Sequence, residues 1–341
     1  NDYNGVLCVM NSLFLDNEIV NNYIIYSKNT FNFINNTVYN IDDIGLYIDN
    51  INKNSNITDN RFFITILKNN SLVKHDLSSG NFNNNVFIIL LNGNNNRMNV
   101  INADGNYYNL EINGNNNQIT DSQFNGYIKN IGQNTTVKNN NITNNNNKIA
   151  IWNNGNNFKI ENNKFKLNNN EGIYIEGINV TINNNSIDGG YRAIINKGIN
   201  TRITNNIINN CTIGVENTQK VNITNNKIIN TKKGIIDTAN ASNFLKNNIN
   251  GGDYGIITSG NNNNIKENII KNNKNSITIN GNYNIIGNNK LDKNTNTIMI
   301  NGYYNTIYQN NITSSQKTIY IKGNNNKIQF NKLTKNIENI I

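Results

Sequence analysis

Asn264-Ile265-Lys266-Glu267-Asn268-Ile269-Ile270, followed by Ser276-Ile277-Thr278-Ile279-Asn280-Gly281-Asn282, decides how the rest of the chain is read. Twenty-one residues downstream, the matching positions hold Ile286, Asn289, Leu291, Ile298, Ile300 and Gly302. Another step gives Ile307, Asn310, Ile312, Ile319, Ile321 and Gly323, and one more gives Ile328, Asn331, Leu333 and Ile340. Four consecutive copies at one period define a repeat architecture. Working backwards, the position of Ile265 is filled by Phe244, Ile223, Ile203, Ile182, Ile160, Val137, Ile119, Met98, Leu77, Ile57, Phe33 and Phe14, which makes sixteen units. A second apolar pair falls twelve and fourteen residues after this anchor with one residue between. A period of two is that of a strand.

The third position after the anchor is asparagine in thirteen of the sixteen units: Asn17, Asn36, Asn60, Asn140, Asn163, Asn185, Asn206, Asn226, Asn247, Asn268, Asn289, Asn310 and Asn331. Gly80, Ile101 and Ser122 interrupt the column. Asparagine accepts the left-handed backbone of a tight bend. Its amide both donates and accepts, so copies stacked at about 4.8 Å can bond to the coil above and the coil below. A strand that returns in the same direction makes a parallel crossover, and about 98% of those are right-handed. The pattern therefore predicts an all-β fold, a single-stranded right-handed parallel β-helix of about sixteen coils with a ~21-residue repeat and an asparagine ladder. Residues 1–341 read as one continuous domain, with irregular coils over 1–76 and regular ones over 77–341. The chain ends thirteen residues past Ile328 and begins with the apolar run Val6-Leu7-Cys8-Val9-Met10, so a piece of a longer protein is expected.

Composition alone points elsewhere. Hydrophobic residues make up 36% and the mean hydropathy is −0.60, values that without a period would suggest an asparagine-rich disordered chain. The absence of proline fits strands whose N–H groups all bond to neighbours. Thirty basic and twenty-one acidic side chains give a formal charge of +9, but the lysines are scattered, as at Lys227, Lys246 and Lys266, so nucleic acid is not an expected partner. No transmembrane run is present. Cys8 and Cys211 fall about nine coils apart, too far for the ~7 Å a disulfide allows, and read as small core residues. His75 is the sole histidine and reads as a loop residue, which removes a histidine-rich metal site. No metal or cofactor is expected. Gly189-Gly190 and Gly251-Gly252 read as bends, since no helix follows to cradle phosphate. The sequons at Asn141, Asn179, Asn222 and Asn311 arise within the repeat itself.

The units Ile203-Thr-Asn-Asn-Ile-Ile208 and Ile223-Thr-Asn-Asn-Lys-Ile228 resemble the repeats of the pectate-lyase-type right-handed parallel β-helix superfamily. The Asn/Ile/Lys-rich composition resembles the adhesin-like surface proteins of methanogenic archaea. The resemblance implies either a non-catalytic adhesin or a polysaccharide lyase, hydrolase or epimerase, and the fold does not select among them. Enzymes of this kind need clustered carboxylates. Asp16, Asp59, Asp121 and Glu267 share one offset but lie on distant units. Glu176 and Glu216 are the best remaining pair, with backbones roughly 12 Å apart at two coils' separation, beyond the carboxylate spacings of glycosidases.

Outward positions of the second strand carry Trp152, Tyr174, Glu176 and Glu216, the candidate glycan contacts, with Tyr320 farther along. The rest of that face, Ile195, Ile236, Ile257 and Met299, is apolar. The paired threonines that an ice-binding array needs are missing at Glu216-Asn-Thr218 and Ile236-Asp-Thr238. Fourteen residues after the anchor, an inward column is polar in the middle units: Asn196, Asn217, Asp237 and Thr258. A buried carboxylate needs partners, so Asp237 is expected to be less than a quarter exposed and bonded to a neighbouring coil. The expected protein is an extracellular or cell-surface solenoid, a rigid stalk or adhesin with polysaccharide as the candidate partner. The alternative is a polysaccharide-active enzyme.

Overall fold

A computed structural model describes residues 6–8, 13–15, 18–20, 24–26, 32–42, 47–48, 55–77, 81–101, 103–145 and 148–340. They form a parallel β-solenoid divided into two compact units, Asn1–Phe165 and Lys166–Ile341.

In the second unit each coil begins with a short strand of the anchor sheet: Thr181–Asn183, Thr201–Thr204, Val221–Thr224, Asn243–Leu245, Asn264–Lys266, Ile285–Gly287, Thr306–Tyr308 and Lys327–Gln329. Neighbouring strands pair in parallel, with Ile265 opposite Phe244 and Ile286, and Ile307 opposite Ile286 and Ile328. A bend leads to a second strand and then a third, such as Lys227–Ile229 and Lys233–Asp237. Ile203, Ile223, Phe244, Ile265, Ile286 and Ile307 are wholly buried. Burying one such side chain is worth about 1.5–3 kcal/mol, so the isoleucine columns supply the main driving force.

The ladder fills the bend. From Asn185 through Asn206, Asn226, Asn247, Asn268, Asn289 and Asn310 to Asn331, each backbone N–H donates to the Oδ1 of the next copy at 2.9–3.0 Å. The same Oδ1 accepts the preceding copy's Nδ2, as between Asn247 and Asn268 at 3.1 Å, and that Nδ2 also donates to the anchor carbonyl one coil back, Ile223 O at 2.8 Å. The amide is thereby satisfied and ties three coils together. The left-handed residue is not the ladder asparagine, as the sequence suggested, but the one before it: Asn184, Asn205, Asn225, Lys246, Glu267, Asn288, Gln309 and Phe330 all have φ between 52° and 59°. The ladder side chain must point inward to stack, and the residue that turns the chain points out.

The first unit is less regular. Strands Leu13–Leu15, Asn32–Ile34, Asn56–Thr58 and Asn81–Asn83 form a separate sheet, and Ile57 pairs with Phe33 and Phe82. Met98 pairs with Val73, not with Leu77 as the constant period predicted. The ladder therefore has two segments at different corners. Asn36, Asn60 and Asn85 follow the separate sheet and, with Asn106 on the strand Ala103–Ile112, are linked Nδ2 to Oδ1 at 2.8–3.2 Å. Ser122, Asn140 and Asn163 follow the anchor sheet, with the Ser122 N–H and the Asn140 Nδ2 each 2.9 Å from the next Oδ1. Ile101 is not a gap in this column; it lies on the strand Arg97–Ile101. Asn17 and Gly80 fall outside the described residues. The core here is aromatic, with Phe62, Phe87 and Tyr108 stacked at 4.6 and 4.5 Å. His75 is no loop residue: it is fully buried on the strand Leu72–Asp76, with Nδ1 3.3 Å from the Tyr108 hydroxyl.

About thirteen turns are regular, five in the first unit from Leu72–Asp76 onward and eight in the second, where the sequence suggested sixteen. The three earlier anchor-sheet strands are the short segments Val6–Cys8, Ile24–Tyr26 and Tyr47–Ile48.

Candidate functional site

In the second unit the polar column is inside. Asn196, Asn217, Asp237 and Thr258 pair in register on successive third strands and are at most 1% exposed. Asn196 Nδ2 donates to Asn217 Oδ1 at 2.7 Å, and Asn217 Nδ2 donates to Asp237 Oδ1 at 2.6 Å. The Thr258 hydroxyl and Asn263 Nδ2 donate to Asp237 Oδ2 at 2.8 and 3.3 Å. Burial pushes the Asp237 carboxyl above its ordinary range, against the hydrogen bonds from Asn217 and Thr258 that hold it down. A carboxylate so enclosed is a structural element. The first unit carries its own polar pair, Asn130 and Asn153, linked at 2.6 Å, which a constant period hides because the steps from Ile119 and Val137 are 18 and 23 residues.

One cluster of charged side chains in the second unit spans three adjacent coils. Glu216 sits between the buried Val215 and Asn217 and so points outward. Arg192, one coil back, donates from Nη1 to its Oε2 at 3.1 Å, and from Nε at 3.1 Å and Nη2 to Glu171 Oε1. One guanidinium thus bridges two carboxylates. Burial alone would lower the Arg192 pKa, but the hydrogen bonds and charges of Glu171 and Glu216 outweigh it and raise it. Beside this triad, the Tyr174 hydroxyl donates to Glu176 Oε1 at 3.2 Å, and the Lys197 ammonium lies 5.2 Å from the Tyr174 ring centroid. The neighbouring Tyr174 hydroxyl, helped by the charges of Glu176 and Glu216, raises the Lys197 pKa.

Of the candidate contacts, Tyr174, Glu176 and Glu216 share this unit, whereas Trp152 belongs to the first, where Lys129 lies 6.0 Å from its ring and pairs with Glu111 at 2.9 Å. Sequence reasoning missed Glu171 and Arg192. Their parity matches the inward Ile173 and Ile194, and the available signal was a pair of opposite charges spaced by one repeat. On the outer face Ile195 is buried, while Ile236, Ile257 and Met299 are half-buried. A groove of about 460 Å³ between Asn179, Asn200, Arg202 and Lys220 lies away from the triad and contains no acid.

The acids that share one offset in the repeat do not converge among the described residues. Asp59, Asp121 and Glu267 each occupy a left-handed bend, and Asp16 is outside the described residues. Cys211 is buried with its thiol donating to Asn209 O at 3.1 Å, and burial pushes its pKa to about 11; the Cys8 side chain lies outside the described residues. Among the described residues, no three of His, Cys, Asp and Glu are grouped as metal ligands, and no helix is long and apolar enough to cross a membrane.

Residues 211–341 match a family model described as periplasmic copper-binding protein (NosD). That is less than half of the chain. The matched segment contains no histidine, one cysteine and one methionine, Cys211 and Met299, so the imidazole and sulfur donors that copper prefers are not assembled there. No curated protein matches the chain by sequence. Solved structures similar to it include a periplasmic alginate epimerase AlgG, at 13% identity and TM-score 0.42, covering 80% of this chain and 78% of that one. PfbA, a surface adhesin of Streptococcus pneumoniae, is 12% identical with TM-score 0.39 and coverage of 82% and 83%. A hyperthermoactive exopolygalacturonase from Thermotoga maritima is 10% identical with TM-score 0.32 and coverage of 95% and 84%.

Proposed function

We propose that the second unit binds polysaccharide at the surface formed by Glu171, Tyr174, Glu176, Arg192, Lys197 and Glu216, as part of an extracellular or cell-envelope protein of the adhesin type. The observation that carries the reading is the Arg192 bridge beside the Tyr174–Glu176–Lys197 group, where an aromatic ring and fixed hydrogen-bonding charges share one face. A half-buried tyrosine offers its face to the apolar side of a sugar ring, and the carboxylates and cations meet hydroxyls. Three carboxylates stand against two cations, which favours a neutral polysaccharide over a polyuronate. Binding is favoured over cleavage because Arg192 occupies the space between Glu171 and Glu216, where a hydrolase would keep a water or the scissile bond. The periplasmic description of the family model over residues 211–341 supports a place outside the cytoplasm.

The test is a glycan array probed with the full chain and with Tyr174→Ala/Glu176→Gln. The parent should bind neutral polysaccharides and the variant should lose about tenfold in affinity, with thermal unfolding nearly unchanged. A parent that binds nothing on the array removes the reading, and so does a variant that binds as well as the parent.

A further inference from the structure

Ahead of the anchor-sheet strands, the second unit turns through single residues of positive φ. Asn179, Asn200, Asn262 and Asn325 fill this position with φ of 57–60° and Ala241 with 57°, but two consecutive coils use Tyr283 and Tyr304, both at 58°. A left-handed backbone crowds the Cβ against the following carbonyl, and apart from glycine only asparagine and aspartate visit it routinely. Burial does not repay the strain, because Tyr283 is 54% exposed and Tyr304 50%, as is Tyr303 beside it. The Tyr283 and Tyr304 rings stack on each other, centroids 5.1 Å apart and planes 4° from parallel. The turns can lie this close because Gly281 and Gly302 stack, and a Cβ on Gly302 would collide with the Gly281 carbonyl. Phe330 also takes a left-handed bend on the surface, so what sets Tyr283 and Tyr304 apart is that they recur on consecutive coils and stack into one exposed aromatic ridge.

A second observation meets the first. A groove of about 220 Å³, bordered by Thr278, Asn280, Met299, Asn301, Tyr320 and Lys322, lies at the ends of the strands that lead into these turns, two to three residues along the chain from Tyr283, Tyr303 and Tyr304. Lys322 is its only charged residue. We propose that this groove and the Tyr283, Tyr303 and Tyr304 ridge form a second glycan site, which stacks neutral pyranose rings on tyrosine and hydrogen-bonds their hydroxyls through Asn280 and Asn301. The proposal deepens the reading above and uses none of its residues. Glu216, Ile236, Ile257, Thr278 and Met299 are successive partners, so the two sites stand four coils apart, roughly 19 Å at ~4.8 Å per coil, within reach of one extended polysaccharide. A protein partner fits less well. Three tyrosines of about 150–250 Å² each, already half covered, fall short of the ~1,200–2,000 Å² that a stable protein interface buries.

The test is affinity electrophoresis of the full chain in gels containing laminarin, a soluble mannan or hydroxyethylcellulose, with Tyr283→Asn/Tyr304→Asn alongside Tyr174→Ala/Glu176→Gln. Asparagine is what the same turn holds in other coils, so the first variant should unfold at an unchanged or higher Tm while its retention by at least one neutral polysaccharide weakens about tenfold. Retention equal to the parent's overturns the second site, and so does a parent that none of the three gels retards. A loss confined to the Tyr283/Tyr304 variant leaves this site standing and removes the one at Arg192. A loss confined to the Tyr174/Glu176 variant does the reverse.

Discussion

The coils around Asn60 and Asn85 and the coils around Asn247 and Asn268 use the same device at different corners. In the second unit the ladder follows the anchor sheet on every coil, and copies recur at 20 or 21 residues. In the first unit Asn36, Asn60 and Asn85 follow another sheet, with steps of 24, 25 and 21 residues through to Asn106, and only from Ser122 does the ladder follow the anchor sheet. The difference teaches that the amide column, rather than the coil length, is the invariant of this fold. A coil may lengthen by several residues wherever both ends of the insertion still deliver an asparagine to the neighbour's N–H.

The largest effect that tests this comparison is removal of a ladder amide from either region. Asn268→Leu strips the acceptor from the Asn247 N–H and Nδ2 and the donor from Phe244 O, all buried. With orphaned groups costing about 1–3 kcal/mol each, a loss of about 3–5 kcal/mol is expected in chemical denaturation. Asn85→Leu, at a position outside the constant period, should cost as much, because it strips the Asn60 N–H and Nδ2 and Ile57 O. A cost below about 1 kcal/mol at Asn85 would mean that the early column is not a ladder.

A smaller effect is expected at Asp237, where the ladder idea is carried by a carboxylate. Its folded-state pKa is raised, so the folded state holds the proton more tightly than the unfolded chain. The ionised group therefore costs stability above the folded pKa, and the cost fades as pH falls through that value toward the ordinary 3.8. Asp237→Asn removes the charge and keeps an acceptor for Asn217, but sets an N–H against the Thr258 hydroxyl and the Asn263 amide that donate to Asp237 Oδ2. Its stability relative to the parent should therefore be most favourable at pH 7 and fall by about 1 kcal/mol toward acid pH, where any gain from losing the charge vanishes, as read from Tm against pH. A gain that grew on acidification would contradict this assignment. Smallest of all, Cys211 should react negligibly with iodoacetamide at pH 8 in the folded protein and rapidly in denaturant, since its thiol titrates near 11.

The second unit was legible because an apolar anchor and an asparagine each recur once per turn there. The first was not, since Asn83-Asn84-Asn85 offers three candidates for one inward position and it is Asn85 that stacks. The same ambiguity hid the left-handed residue: in Asn205-Asn206 either could turn the chain, and only pairs such as Lys246-Asn247 and Glu267-Asn268 separate the roles by composition. At the site, Tyr174, Glu176 and Glu216 followed from strand parity. Glu171 and Arg192 did not, because inward parity at a strand's first residue still lets a long side chain reach the surface.

The most direct test of the central claim, a polysaccharide-binding face with near-balanced charge, is retention of the full chain on neutral and polyuronate gels at low and at high ionic strength. Retention by a neutral polysaccharide that salt leaves nearly unchanged is expected. Retention by polyuronate alone, abolished by salt, would contradict it and assign binding to the scattered lysines.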